Sequence, residues 1–391
     1  MSDTRKTTKP NVPNLRFLGF SGEWASRRIG EDCTVNMCKR IFANQTSEQG
    51  DVPFFKIGTI GGTPDAYITR DLFEEYKAKY NYPHEGEVMI TCAGTVGKTI
   101  VFDGEDAYFQ DSNIVWLSNP KQLYINSFLN YVLSRVNWNI LNSTTITRIY
   151  NDNLRELVIN YPSIKEQEKI VALLSLLDRR IAIQNKVIED LKKLKTALEE
   201  RMLGQCQGKQ VRLRDILIER VEKSRINNQY EVLSSTVSGI YSQREYFNKE
   251  IASADNTGYK AIHRGDVVLS PQNLWMGNIN YNDRFEIGIV SPSYKVFSID
   301  EKFDKGYIAF LLKTRKALWA YSLVSEQGAS IVRRNLNYES FLEISFVIPS
   351  LKEQQATARR LSAFKQKQTM EEAFLRSLLL QKEFMLKSLF I

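Results

Sequence analysis

Two stretches, YPSIKEQEKI at residues 161–170 and IPSLKEQQAT at residues 348–357, decide how this 391-residue chain is read. Pro162 and Pro349 lie 187 residues apart, close to half of the chain. A near-copy at that distance predicts a protein built from two tandem halves. In each copy Ser163-x-x-Glu166 or Ser350-x-x-Glu353 follows the proline directly, with the spacing of a helix-starting capping box.

Downstream of each copy the pattern is helical. From Ile164 to about Cys206 there is no proline, and no glycine before Gly204. Apolar residues recur at Ile170, Leu174, Leu177, Ile181, Ile188, Leu191, Leu194, Leu198 and Met202. Steps of three, four and seven residues predict the seam of a long coiled-coil helix. The second tail, 351–391, repeats the design with Leu361, Phe364, Phe374, Leu378, Met385 and Leu389. A helix of about 40 residues is about 60 Å long and cannot bury such a stripe alone. The simplest expectation is that the two helices pack on each other, antiparallel, with a globular part at either end of a rod. A parallel pair, or dimerisation through the helices, are the competing arrangements.

Upstream of each copy the halves also correspond. HEGEVMIT (84–91) faces HRGDVVLS (263–270), with Gly86 and Gly265 suited to a turn of positive φ and apolar runs suited to buried strands. Gly97 aligns with Gly277, TRIYNDNLRELVINYPS (147–163) with RRNLNYESFLEISFVIPS (333–350), and RRIGEDC (27–33) with VRLRDIL (211–217). AYFQDSNIVWLS and IGIVSPSYKVFS alternate as strands do; NSFLNYVLSRVNW (126–138) and DKGYIAFLLKTRKALWAY (304–321) have helical spacing. The expected fold class is therefore α/β (α+β): each half carries a small twisted sheet with helices, and a long coiled coil joins the two. Expected boundaries are 1–163 and 207–350 for the globular parts, and 164–206 and 351–391 for the helices.

The composition fits a globular protein, with 43% hydrophobic and 25% charged residues and no apolar run of membrane-spanning length. The start, MSDTRKTTKP, is polar and gives no expectation of a signal peptide. Cys33, Cys38, Cys92 and Cys206 are scattered, which makes the cytoplasm the expected compartment. The net charge of +8 favours an anionic partner, nucleic acid above all.

Patterns that resemble catalysis are incomplete. AGTVGKT (93–99) has Cys92 where a P-loop needs its first glycine, and the other half has no matching lysine. Asp65, Glu75 and Lys77 have the spacing of a metal-dependent nuclease, but Asp71 followed by LFEEYKAK reads as a capped helix, whereas such sites sit on strands. His84 and His263, the only histidines, hold matching repeat positions and lack neighbouring ligands, so they read as turn residues. Cys33 and Cys38 read as packed thiols. There is no Pro-Pro dinucleotide, hence no Asp/Asn-Pro-Pro-Tyr/Phe methyltransferase motif, and no Gly-x-Gly-x-x-Gly. No metal or cofactor site is expected in this chain.

PNLRFLGFSGEWASRRIGE (13–31), the two PS(I/L)KEQ helix starts, the helix between the halves, and the run from GDVV to SYKVF (265–297) together resemble specificity subunits of type I restriction–modification systems. The resemblance covers essentially the whole chain. It implies two target recognition domains, each reading one half of a split double-stranded DNA site in the major groove, held apart by an antiparallel coiled-coil spacer with pseudo-two-fold repeat. It implies a non-catalytic chain. Two methyltransferase subunits would supply S-adenosylmethionine chemistry, usually on adenine, and up to two restriction subunits would supply cleavage with ATP and Mg²⁺. The bases read cannot be carried over, because recognition domains vary. Candidate readers chosen by residue type are Lys39, Arg40, Lys56, Thr59, Lys98, Thr145, Thr147 and Arg148 in the first part. Those in the second are Ser234, Ser235, Thr236, Gln272, Asn273, Asn278, Arg333 and Arg334, with Trp275 and Tyr294 as stacking candidates. A partner-organising scaffold without DNA readout, and an autonomous nuclease, are the alternatives.

Overall fold

A computed structural model describes residues 10–138, 148–247, 255–327 and 333–391. The chain divides into two units. The first runs to Ile183 and includes Leu375–Ile391; the second is Gln184–Phe374. The two long helices, α1 (Ile164–Gly204) and α2 (Leu351–Ser388), each contribute to both units, so the helices are divided between the units rather than standing apart from them.

The first unit is built on four antiparallel strands: β1 (Thr34–Asn36), β2 (Val88–Thr91), β3 (Thr99–Val101) and β4 (Ile114–Ser118), in the order β1-β4-β2-β3. The second unit repeats this with β5 (Leu217–Arg220), β6 (Val267–Leu269), β7 (Ile279–Tyr281) and β8 (Lys295–Ile299), in the order β5-β8-β6-β7. In each, the strand leading in pairs antiparallel with the strand that precedes the long helix: Ala25–Arg28 with Val158–Tyr161, and Lys209–Arg212 with Ser345–Ile348. A four-residue helix follows the first strand in both, Ile29–Asp32 and Leu213–Ile216. The sequence repeat is thus a repeat of topology.

The aligned residues explain the repeat. The main-chain N–H of His84 donates to the buried Glu87 carboxylate, and that of His263 to the buried Asp266 carboxylate, both at 2.8 Å. Gly86 (φ +87°) and Gly265 (φ +94°) complete the same turn. In the turn itself both histidines act through their backbones, and the His263 ring in addition lies 2.8 Å from Glu222 Oε2. Cys33 and Cys38 are packed in cores, and burial pushes both thiols up to about 12.

Several elements differ from the sequence pattern. Ile114–Leu117 are all buried rather than alternating, because β4 lies inside its sheet with both faces covered. The segment 304–321 is two helices, Lys305–Leu311 and Arg315–Leu323. Thr314 breaks it by accepting from Ala317 N and donating to Leu311 O. The helix Arg70–Lys79 is capped by Thr69, with Asp71 inside its first turn.

The long helices run antiparallel. In the first unit Ile170, Leu174 and Leu177 of α1 cluster with Met385, Leu386 and Leu389 of the α2 end, and Asp178 pairs with Lys382. In the second, Gln184 meets Glu371, and Leu198 and Met202 join Ala358 and Leu361. Of the other seam candidates, Leu361 and Leu378 are buried, and Ile181, Leu191 and Phe364 are half-buried. Leu194 and Phe374 fall off the seam and are 48% and 42% exposed. Gln184 and Lys195, polar and unremarked in the sequence pattern, take seam slots on α1. Lys367, then Gln184, hold the Glu371 carboxyl below its ordinary range.

Candidate nucleic-acid interface

In the first unit the candidate cations meet on a rim of loops held by the small sheet Val52–Phe55, Tyr67–Ile68 and Tyr108–Phe109. Gln110 N donates to Phe55 O, and Ile57 N donates to Gln110 Oε1, so the loops after both strands are fixed together. Arg40 and Lys56 line one groove with Phe42, Gln110, Ser112 and Asn113. Arg40 Nε donates to Asp111 Oδ2 at 2.8 Å, and Lys56 Nζ lies 2.9 Å from Asp65 Oδ1. The Lys56–Asp65 pair is solvent-facing, so phosphate can replace that carboxylate at little net loss, whereas Arg40 is exposed but its partner Asp111 is only 17% exposed. Arg148 reaches the groove's edge, donating to Ser112 O at 3.1 Å with its guanidinium over the Tyr150 ring. Ser112 holds φ at +53°, a left-handed conformation uncommon for a residue with a side chain.

Other candidates in this unit have structural partners. Lys98 Nζ donates to Ile60 O, joining the loop of AGTVGKT to the loop 56–62, and the P-loop reading has no geometric basis. The Thr59 hydroxyl accepts from Lys56 N and closes its own turn. Lys39 is exposed and lies over the Tyr80 ring. Thr145 and Thr147 lie outside the described residues.

In the second unit Gln272, Asn273 and Trp275 sit on the 3-10 helix Pro271–Met276, which Gly277 ends with φ +88°. Arg334 begins the strand Arg334–Leu336, paired with Ser325–Gln327, and stacks its guanidinium 4.2 Å from the Trp275 ring centre. Gln272 and Arg333 are exposed. Ser234, Ser235 and Asn278 are turned inward. Ser235 Oγ donates to Asn278 Oδ1, Asn278 Nδ2 returns a bond to Ser235 O, and Asn280 Nδ2 donates to Ser235 Oγ and Thr236 O. The Tyr294 hydroxyl also donates to Ser235 O, which accounts for it without stacking. Buried and mutually satisfied, these groups shape the turn 236–239 rather than face a ligand. Thr236 accepts from Ser238 N within that turn. Lys313 Nζ donates to Val237 O and Gly277 O and ties the turn to the 3-10 helix.

Residue type alone did not single out Phe42, Gln110, Asn113, Asn280 or Lys313. Their role follows from strand pairings between distant segments. The nuclease pattern is not assembled. Asp65 pairs with Lys56, Glu75 with Lys79 and Lys77 with Asp106. Among the described residues no group of three His, Cys, Asp or Glu is placed to hold a metal. No described helix is long and apolar enough to cross a membrane.

Comparison with known proteins places this arrangement. Residues 21–193, the first unit's globular part and much of α1, match the type I restriction modification DNA specificity domain. A Haemophilus influenzae protein named as a type I restriction enzyme specificity subunit is 48% identical over 163 residues, 42% of this chain. The chain spans 42% of the length of that relative. The crystal structure of a type I restriction–modification S subunit from M. genitalium superposes with a TM-score of 0.61 at 18% identity, over 97% of this chain and 99% of that one. A chain from a structural study of type I restriction–modification complex assembly gives 0.54 at 12% identity, over 93% and 96%. Residues 21–193 are thus similar to the type I restriction modification DNA specificity domain, and the chain as a whole shares its fold with the M. genitalium S subunit.

Proposed function

We propose that this chain is the DNA specificity subunit of a type I restriction–modification complex, with no catalytic role of its own. The two globular parts, 1–163 and 207–350, are its target recognition domains. Each reads one half of a bipartite duplex site through the major groove, and the helices 164–206 and 351–391 are the spacer. Methyltransferase subunits carrying S-adenosylmethionine, and restriction subunits using ATP and Mg²⁺ where present, act where this chain directs them. The observation that carries the reading is the family match over one half, joined to the same strand order in the other. Two copies of one topology suit two similar half-sites, as paired modules suit split operators.

Within each domain, phosphate contacts fall to Arg40, Lys56 and Arg148 in the first and to Arg333 and Arg334 in the second. Base edges are read by Asn113, Gln272 and Asn273, side chains of the type that pairs with adenine. The test is selection of bound duplexes from a randomised pool by the purified chain with its methyltransferase partners. Enrichment of two fixed half-sites around an unspecified gap is expected. A complex that binds all duplexes alike would leave only the scaffold reading.

A further inference from the structure

The repeated KEQ triplet contains a glutamine whose burial the recognition reading leaves unused. Gln167, in the first turn of α1, is 0% exposed; Gln354, in the first turn of α2, is 3% exposed. Gln167 Oε1 accepts from Ile125 N at 2.8 Å, and its Nε2 donates to Leu123 O and Pro162 O, both at 3.0 Å. Gln354 Oε1 accepts from Asp304 N, and its Nε2 donates to Pro349 O, both at 2.9 Å. Ile125 and Asp304 are the N-cap residues of the domain helices Asn126–Ser134 and Lys305–Leu311. In each unit, then, one amide bridges the entry of the long helix and the entry of a domain helix.

An amide at this position does what an apolar residue cannot. Apolar contacts between a helix and a domain tolerate sliding, because dispersion is non-directional. Main-chain partners on two elements, one needing an acceptor and the others a donor, fix both separation and angle. Glutamate would keep the acceptor but oppose the proline carbonyl; methionine would keep the volume and lose every bond. Further links hold the helix to the domain in each unit. In the first, Arg16 clasps Glu166 through two 2.8 Å bonds, and Tyr131 donates to Asp178 at 2.7 Å. In the second, Lys365 donates to Asp283 at 2.8 Å. Loss of the glutamine therefore leaves the domain attached while freeing its angle.

We propose that Gln167 and Gln354 are positioning residues that set the angle between each recognition domain and its spacer helix, and so restrict the gap length accepted between half-sites. This rests on the specificity reading above. A domain that tilts on its helix can meet a half-site one base pair, about 3.4 Å along the duplex, from its proper place. The side chains that read bases are not involved.

The experiment uses the assembled methyltransferase complex and duplexes that carry the native half-sites at the native gap, one base pair shorter and one longer. Gln167→Met and Gln354→Met are compared with the native chain. Expected is a roughly fivefold or greater fall in discrimination between gaps, read as the ratio of kcat/KM values, with base preference inside each half-site unchanged. If either variant fails to assemble, Gln167→Asn and Gln354→Asn replace it. These keep the amide on a shorter arm and should shift or broaden the preferred gap. Unchanged gap discrimination in an assembled variant overturns the proposal, as does a changed half-site sequence. A native complex with no bipartite preference overturns the specificity reading and, with it, this one.

Discussion

Arg40, Lys56 and Arg148 show how much a single side chain's chemistry reveals and where it stops. Residue type marks them as cations able to meet phosphate, and the fold brings all three to the segment 110–113. The same reasoning chose Ser235 and Asn278, whose polar groups are spent on each other inside the second unit. Burial separates the two cases, and burial depends on strands far apart in the chain. Arg40→Ala should weaken binding to all duplexes and reduce by about one the slope of log affinity against log salt. Titrations at several salt concentrations check this, and a loss confined to one sequence would make Arg40 a base reader instead. Gly97 gives a stability prediction. Its φ is +82°, and a methyl there would overlap the Trp138 indole. Gly97→Ala should destabilise the first unit by about 2 kcal/mol or more, measured by denaturant unfolding.

At the scale of elements, the long helices were legible because their apolar spacing persists over many turns without proline. Their starts were legible because the PS-x-KEQ motif is repeated. The detail of those starts was not. At α2, Ser350 and Glu353 form the reciprocal capping box, whereas at α1 the Glu166 carboxylate is taken by Arg16. The exact seam was also hidden, because a polar residue gives no apolar signal. Gln184 is 6% exposed and donates to the Glu371 carboxylate and main-chain oxygen. Its distance along the chain from Glu371 is the same 187 residues that separate the two motifs. A polar pair at one seam position fixes register at the expense of stability. Gln184→Leu is therefore expected to stabilise the helix pair by about 1 kcal/mol while loosening its register. Thermal melting would show a higher Tm, and gap discrimination would fall. A lower Tm would mean that the hydrogen bonds outweigh the burial of leucine.

At the scale of the whole molecule, the repeat alone announced two similar halves, and strand order bears this out in each unit. The sheets themselves were only partly legible. β2 and the Ile114–Leu117 part of β4 are short, fully buried runs whose neighbours are set by long-range pairing, which no local pattern encodes. The central claim is that two separate recognition domains read two separate half-sites. The most direct measurement replaces residues 1–160 with the corresponding part of a related specificity subunit and maps methylation in cells that carry the hybrid complex. The account predicts that one half of the methylated sequence changes to that of the donor while the other half stays as it was. If both halves changed together, or neither did in an active complex, independent reading by the two domains would be contradicted.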